Sequence, residues 1–374
     1  MTSIGFLSSA PPTPCGIATF TSALGEALVN RGNDVTVVRV LDAPEDVGSD
    51  SSVVGELITS DPSTIAGAVA ALNGSDLVII QHEYGLYGGS DGADVLEVLA
   101  ALKVPSIAVL HTVLSHPSSH QVEVLNAVIR GSSVVVVMTS SAEATLRSVN
   151  DVGTTPLSVI AHGAALGRPS PYGHDGARPL LLTWGLLGPG KGVQWVIDAL
   201  TSLRDLHPQP HYLVAGRTHP KVLAHQGDVY RESLEQRVVT NGVQNLVEFD
   251  NSYRDLTSLN LLIESATVVL LPYDSHDQAT SGVLVDAIAA GRPVIATAFP
   301  HAVELLSTGA GIVVPHGDAD ALAGALRRTL TEPGLLEAMT GEARRLAPGL
   351  GWDGVAVQYQ ELIHRILQRV AIEA

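Results

Sequence analysis

One cysteine, Cys15, in a chain of 374 residues excludes an internal disulfide and fits a reducing compartment. Lysine is almost as scarce, with only Lys103, Lys191 and Lys221. The 21 basic residues face 38 acidic ones, for a formal net charge of −17. A chain this acidic lacks the basic patches that neutralise nucleic-acid phosphates or anionic lipid, so neither polymer nor membrane surface is an expected partner. Aromatic residues make up 4%. No apolar run approaches the roughly 20 residues of a membrane span. The chain opens on a strand-like Thr-Ser-Ile-Gly-Phe-Leu instead of a signal-peptide pattern, so the cytoplasm is the expected location.

What remains is Ala, Val, Leu and Gly, with 45% hydrophobic residues. That is the composition of parallel strands buried on both faces. Short apolar runs alternate with helical stretches along the whole length, and the length favours two domains. The first half reads as strands at 3–7, 34–40, 77–80, 105–110, 132–137 and 157–161, with helices near 16–29 and 62–72. The stretch 164–179 is rich in Gly, Pro and charge and reads as a linker. The second half reads as strands at 180–183, 212–215, 247–249, 268–271, 293–296 and 311–314, and helices at 318–331 and 355–372. The expected division is 1–165, a linker at 166–179, 180–350, and a terminal helical segment at 351–374 that packs back on the first domain.

Open α/β sheets bind ligands beyond the carboxyl ends of their strands, so the residues placed there are the first candidates. In the first half these are Cys15-Gly16 at a helix start, Gln81-His82-Glu83-Tyr84, His111 and His162-Gly163. A helix start can lower the pKa of a thiol such as Cys15, but the simpler reading is a small loop residue. His82, Glu83 and Tyr84 are candidate acceptor contacts, with Gly88-Gly89 as a tight turn or moving loop behind them; the bland alternative is a local His82–Glu83 ion pair. No Gly-x-Gly-x-x-Gly follows the first strand, which weakens a nicotinamide-dinucleotide reading.

In the second half, Trp184-Gly185-Leu186-Leu187-Gly188-Pro189-Gly190-Lys191-Gly192 brings one of the scarce lysines to a helix start. It approaches the Gly-x4-Gly-Lys loop of NTPases, but Gly192 stands where the Mg²⁺-binding hydroxyl is required. A lysine aimed at a diphosphate is the simpler reading. Asp250-Asn251-Ser252 follow a strand and are possible nucleoside contacts. The stretch from Leu270 to Ala298 then reads as strand, polar loop, helix capped by Ser281, stop at Gly291, and strand. Thr280, Ser281, Gly282 and Val283 place small side chains and open N–H groups at a helix start, a ready anion site. Asp286 lies one turn further on. The bland alternative is an ordinary crossover with a well-capped helix.

Asp286-Ala287-Ile288-Ala289-Ala290-Gly291-Arg292-Pro293-Val294 resembles the donor-site segment of the retaining glycosyltransferases of family 4, whose pattern is Glu, seven residues, Glu, then Ala-x-Ala-x-Gly-x-Pro-Val. The two glutamates fall on Gln278 and Asp286. The order of the other motifs extends the resemblance over nearly the whole chain, and His-Glu-Tyr-Gly and Thr-Ser-Gly-Val-Leu look like a bacterial mannosyl/glucosyltransferase-like subgroup. The resemblance implies a GT-B architecture, two Rossmann-like doubly wound domains facing each other across a cleft. It places Gly16 at the donor phosphate, His111 near the reacting sugar, His162-Gly163 before the hinge, and Lys191 at the phosphate. The pattern's arginine is Leu186 here, and Arg217 or, preferably, Arg231 is expected to replace it; equally, Arg231 could pair with Glu232 or Glu235 along its own helix.

The implied reaction moves a hexose, mannose before glucose, from a nucleotide sugar such as GDP-mannose or UDP-glucose to an acceptor hydroxyl with retention. Lys191, an arginine and the N–H groups of Ser281–Val283 would stabilise the leaving diphosphate. Asp286 would hold the ribose. Gln278 would bond sugar hydroxyls and, as an amide, cannot be the carboxylate nucleophile of a double displacement, which favours a same-face mechanism. No Asp-x-Asp or His/Cys metal spacing is present, so neither metal nor cofactor is expected. The acidic surface favours a soluble acceptor such as a sugar, glycan or small metabolite. The rivals are a nucleotide-sugar binding protein without turnover, and a GT-B sugar-nucleotide epimerase.

Overall fold

A computed structural model describes residues 1–13, 15–44, 52–167, 178–252 and 254–373. Most of the expected linker, residues 168–177, lies outside them. The chain divides into two units: Met1–Gly163 together with the helix from Trp352 onward, and Ala164–Gly351.

The first unit is built on seven parallel strands: β1 (Ser3–Ser8), β2 (Asp34–Leu41), β3 (Val53–Ile58), β4 (Leu77–His82), β5 (Ser106–Leu110), β6 (Val134–Val137) and β7 (Leu157–Val159). Their order in the sheet is β3-β2-β1-β4-β5-β6-β7. The order reverses at β1, whose two neighbours are β2 and β4, so the crevice at its carboxyl end is the natural ligand position. The helices are α1 (Gly16–Val29), α2 (Ile65–Leu72), α3 (Val95–Ala101), α4 (Ser119–Gly131) and α5 (Ser140–Val149). The helix expected at 62–72 begins as a 3₁₀ turn, Pro62–Thr64, capped by Asp61, and only then becomes α2.

Strand β3 has no counterpart in the sequence reading. It is an edge strand interrupted by Gly55, its side chains are mostly half-exposed, and its pairing with β2 slips at Val37/Val38. Such a strand shows neither the continuous apolar run of a buried strand nor clean alternation.

The second unit has six parallel strands: β8 (Leu180–Trp184), β9 (His211–Ala215), β10 (Val247–Asp250), β11 (Val268–Leu271), β12 (Val294–Thr297) and β13 (Gly311–Val314), in the order β10-β9-β8-β11-β12-β13. The reversal falls at β8, between β9 and β11. Its helices are α6 (Val193–Ala199), α7 (Pro220–Gln226), α8 (Val229–Thr240), α9 (Leu256–Ser265), α10 (Gly282–Ala289), α11 (Pro300–Leu305), α12 (Ala319–Thr331) and α13 (Leu335–Leu346). Helix starts follow side-chain chemistry: Asp255, Ser281 and Asp318 each accept from the amide three residues on, satisfying a donor the helix cannot.

The last helix, α14 (Trp352–Glu373), belongs to the first unit. Val355, Ala356, Tyr359, Leu362, Ile363 and Ile366 recur at helical spacing and share one core with Ile4, Phe6, Phe20 and Leu24. Burying each larger aliphatic contributes about 1.5–3 kcal/mol, which is why the chain's end is an integral part of its beginning. The second unit has its own core, centred on Leu181, Val196, Tyr212, Val214 and Leu270. No helix among the described residues is long and apolar enough to cross a membrane.

Candidate active site

The glycine turn after β8 carries Lys191 to the start of α6. Gly192 has φ +67, and a Cβ there would stand 1.6 Å from the Pro272 carbonyl oxygen. Only glycine lets the turn lie this close to the end of β11. The Lys191 ammonium sits 4.7 Å from the centroid of the Tyr273 ring and makes no hydrogen bond among the described residues. Burial lowers its pKa. Asp274 fastens the turn from the other side. Its carboxylate accepts from Trp195 Nε1 at 2.6 Å and Gln194 Nε2 at 3.2 Å, and its amide donates to the Gly190 carbonyl at 2.9 Å.

At the start of α10, Ser281 caps the Leu284 amide, and the Ser281 amide donates to His301 Nδ1 at 2.9 Å. Of the three N–H groups expected to meet a diphosphate, that of Ser281 is therefore consumed inside the fold. Those of Gly282 and Val283 have no partner among the described residues. The Gln278 side chain donates to the Thr280 carbonyl at 2.6 Å, which pins the loop and leaves its amide oxygen as acceptor for a donating hydroxyl. Asp286 lines a pocket of about 250 Å³ with Leu166, Thr257, Asn260, Leu261 and Glu264 among the other residues of its wall. Burial pushes the Asp286 carboxyl up to about 7.

Two of the expected site residues, Arg231 and His82, are buried inside the fold, and at Arg231 the expected pairing with Glu235 is present. Arg231 is 6% exposed. Its Nη1 donates to the Gly216 carbonyl at 3.1 Å, its Nε to Glu235 at 3.2 Å, and its guanidinium lies 5.2 Å from the Phe249 ring centroid. It braces the end of β9 behind the glycine turn because it sits on the buried face of α8 with Leu234 and Val238. Arg217 donates to the Asn251 carbonyl at 3.1 Å. Leu186 is 39% exposed.

The second of these residues is His82. It ends β4 fully buried, with both ring nitrogens unpartnered among the described residues, and desolvation holds its pKa near 4. Its neighbours Glu83 and Tyr84 are half-buried. Glu83 accepts from the Thr112 hydroxyl and from the Tyr84 amide, and burial raises its pKa.

The first unit's strand ends gather around Phe20 on α1. Its ring meets those of His111 at 5.0 Å, His162 at 5.1 Å and Trp352 at 5.1 Å, all near edge-on. His111 donates from Nε2 to Gln81 Oε1 at 2.6 Å, and His162 from Nδ1 to the Gly163 carbonyl at 2.6 Å. Burial brings their pKa values down to about 3 and about 4, with His162 and His82 adding to the fall at His111. Gly16 is the first residue of α1, exposed, and a Cβ there would meet nothing within 4 Å. The Cys15 thiol accepts from the Ala18 amide and lies 3.1 Å from the Ser9 hydroxyl, so Cys15 is the helix cap.

Sequence reasoning passed over Tyr273, Asp274, Gln81 and Phe20. Gln81 lay inside the polar strand-end patch and could have been selected with it. Tyr273 and Phe20 had no signal, because an aromatic beside an apolar run reads as core. No group of three or more His, Cys, Asp or Glu among the described residues is placed to hold a metal ion.

Comparison with known proteins bears on the fold and on the second unit. Residues 178–332 match the family model described as Glycosyl transferases group 1. No curated protein matches the chain. HepE from Anabaena, crystallised in complex with UDP, aligns with a TM-score of 0.76 at 19% identity, over 97% of this chain and 100% of that one. Sucrose-phosphate synthase from Thermosynechococcus elongatus aligns at 0.77 and 19% identity, over 99% and 100%. A glycosyltransferase from Rickettsia africae aligns at 0.72 and 14%, over 98% and 99%. The chain thus has the two-domain, Rossmann-like GT-B fold, and its residues 178–332 match a glycosyl transferases group 1 domain.

Proposed function

We propose that the protein is a retaining hexosyltransferase that uses a nucleoside-diphosphate sugar. The observation that carries the reading is the anion site of the second unit. It combines an unpartnered lysine ammonium at the β8 switch point, held over Tyr273, with two open amides at the start of α10. Glycosyl transfer from a nucleotide sugar needs charge stabilised on the departing diphosphate, and fixed cationic and N–H donors in a partly desolvated site do this.

Asp286 in its pocket is the group for the ribose hydroxyls, and Gln278 Oε1 accepts from a hydroxyl of the donor sugar. Gln278 has no carboxylate, so the reaction runs on one face of the sugar, with the leaving phosphate taking the acceptor's proton. Gly16 lets a ligand approach the start of α1. Neutral His111, with Glu83 and Tyr84, orients sugar and acceptor. The acceptor is a soluble sugar, glycan or small metabolite, and the reaction proceeds without metal or cofactor in the cytoplasm. Both GDP-mannose and UDP-glucose suit the site. HepE, crystallised with UDP-glucose, puts the uridine donor first in order of trial.

The test is a thermal-shift panel of UDP, GDP, ADP and their sugars with and without EDTA, followed by nucleoside-diphosphate release in the presence of soluble sugars. A ligand at a hundredfold excess over Kd stabilises the native state by about 2.7 kcal/mol. Stabilisation by one nucleotide family in EDTA, acceptor-dependent release, and an α-linked product from an α-linked donor are the expected results. Lys191→Ala should lower kcat by about 10²–10³. No stabilisation by any nucleoside diphosphate would overturn the reading, and binding without release would leave a nucleotide-sugar binding protein.

A further inference from the structure

Tyr273 directly follows Pro272 at the end of β11, a position where side chains commonly face solvent, yet it is 3% exposed. Each part of the residue is engaged. Its ring lies 4.7 Å below the Lys191 ammonium and stacks on Phe299, with centroids 5.3 Å apart and planes 28° apart. Its hydroxyl meets the side chain of Ser281, the cap of α10. Its carbonyl accepts from Thr297 Oγ1 at 2.6 Å and from His316 Nδ1 at 2.8 Å, which fixes the backbone from β12 and from the loop after β13. The next residue, Asp274, holds the glycine turn through Trp195, Gln194 and Gly190.

We propose that Tyr273 is the positioning residue of the diphosphate site, its ring holding the Lys191 ammonium and its hydroxyl holding the cap of α10 in one geometry before the donor arrives. The inference rests on the nucleotide-sugar reading above. A lysine stem is long and flexible, and a ligand that must order it loses affinity. The negative face of an aromatic ring attracts an ammonium and offsets part of its desolvation, while leaving the N–H groups turned away from the ring free for phosphate oxygens. The hydroxyl ties that arrangement to the helix start whose Gly282 and Val283 amides face the same anion. A residue that merely filled the core against Phe299 would affect stability alone.

The scarcity of lysine makes the test clean. Reductive methylation with ¹³C-formaldehyde labels Lys103, Lys191, Lys221 and the amino terminus, and Lys191→Arg identifies the Lys191 signal. The ring current of Tyr273 should move that signal upfield in the unliganded native protein and in Tyr273→Phe, and the shift should vanish in Tyr273→Leu. By calorimetry on unlabelled protein, Tyr273→Leu should weaken UDP binding about tenfold, or about 1.4 kcal/mol, and Tyr273→Phe about threefold.

An unshifted Lys191 signal in the native protein overturns the proposal without any variant. So does unchanged or tighter UDP binding in a folded Tyr273→Leu. Failure of the native protein to bind UDP or GDP, with the upfield shift present, overturns the nucleotide-sugar reading instead.

Discussion

His111 donates its Nε2–H to the side-chain oxygen of Gln81 across 2.6 Å. With the Gln81 oxygen turned to the ring, His111 is the Nε2–H tautomer and Nδ1 the acceptor nitrogen, while the Gln81 amide nitrogen is buried without a partner among the described residues. Nδ1 makes no hydrogen bond among the described residues, and under the proposed function it is the nitrogen left to receive a hydroxyl of sugar or acceptor. Burial holds the ring neutral, with a pKa near 3. We expect ¹⁵N NMR to show the Nε2–H form of His111 unchanged from pH 8 to pH 5. We also expect Gln81→Leu to lower kcat about tenfold with little change in the donor KM, since one buried hydrogen bond is lost and the ring is freed. A His111 that titrates near its ordinary value would remove the argument.

Under the proposed function, Asp286 should give the site a pH dependence. Its carboxyl ionises near pH 7 in the native protein, against 3.8 ordinarily, because the pocket desolvates the charge. A carboxylate accepts from two ribose hydroxyls, whereas the neutral acid is a poorer acceptor. Affinity should therefore rise with pH through 7. Uridine, which has no phosphate to titrate, is the suitable probe. Its affinity should be about tenfold lower at pH 5.5 than at pH 8.5, the order expected for exchanging a charged hydrogen bond for a neutral one. Asp286→Asn should bind weakly at every pH, and a native protein with a flat profile would take Asp286 out of the nucleoside site.

The residues that the sequence made legible were those whose chemistry is local. A glycine-rich turn ending in a lysine, a serine before a helix and a histidine after an apolar strand all declare themselves by neighbours in the chain. Lys191, Ser281 and His111 are each the product of one turn or one strand end. The sheets were legible for the same reason, since buried parallel strands are continuous apolar runs. Side-chain partnerships formed by pairing distant strands were hidden. Gln81 and His111 are 30 residues apart. Nothing local marks Tyr273 as the ring under Lys191 or Gly216 as a partner of Arg231, whereas the Arg231–Glu235 pair, four residues apart on one helix, was legible. Hydrogen-bond supply was equally invisible: the loss of the Ser281 amide to His301 depends on a helix 20 residues away.

Three buried histidines make the first unit acid-labile. His82, His111 and His162 are held near pKa 4, 3 and 4, against an ordinary 6.5. Between pH 6.5 and 4 the unfolded chain binds more protons at these positions than the native one, so stability falls as pH falls. The slope reaches about 1.4 kcal/mol per pH unit for each histidine. Asp286 acts oppositely in the second unit. Its native pKa is raised, so the native state binds the extra proton between pH 3.8 and 7 and gains stability as pH falls. Scanning calorimetry from pH 7 to pH 5 should show the first unit's transition moving down while the second's holds or rises. His82→Phe, which removes two unpartnered buried nitrogens, should raise the first transition at pH 5 and flatten its pH dependence. A first transition that does not move would refute this account.

Two glycines separate what the fold requires from what a ligand requires. Gly192 has φ +67 and a Cβ position 1.6 Å from a carbonyl oxygen. Gly192→Ala must therefore push the Lys191 turn away from the end of β11, with a stability loss of about 1–3 kcal/mol together with activity. Gly16 lies in open space at the first position of α1 and has no positive φ. Gly16→Ala should leave the melting temperature unchanged or slightly higher, since alanine is the better helix former. If a phosphate or sugar approaches the start of α1, the added methyl stands in its path. Nucleotide-sugar KM should then rise at least tenfold while UDP-free stability stays at the native value. Melting curves and donor KM for the two variants, measured side by side, decide the matter. A Gly16→Ala protein with native KM would mean that no ligand approaches the start of α1 closely, and the donor assignment would then rest on the second unit alone.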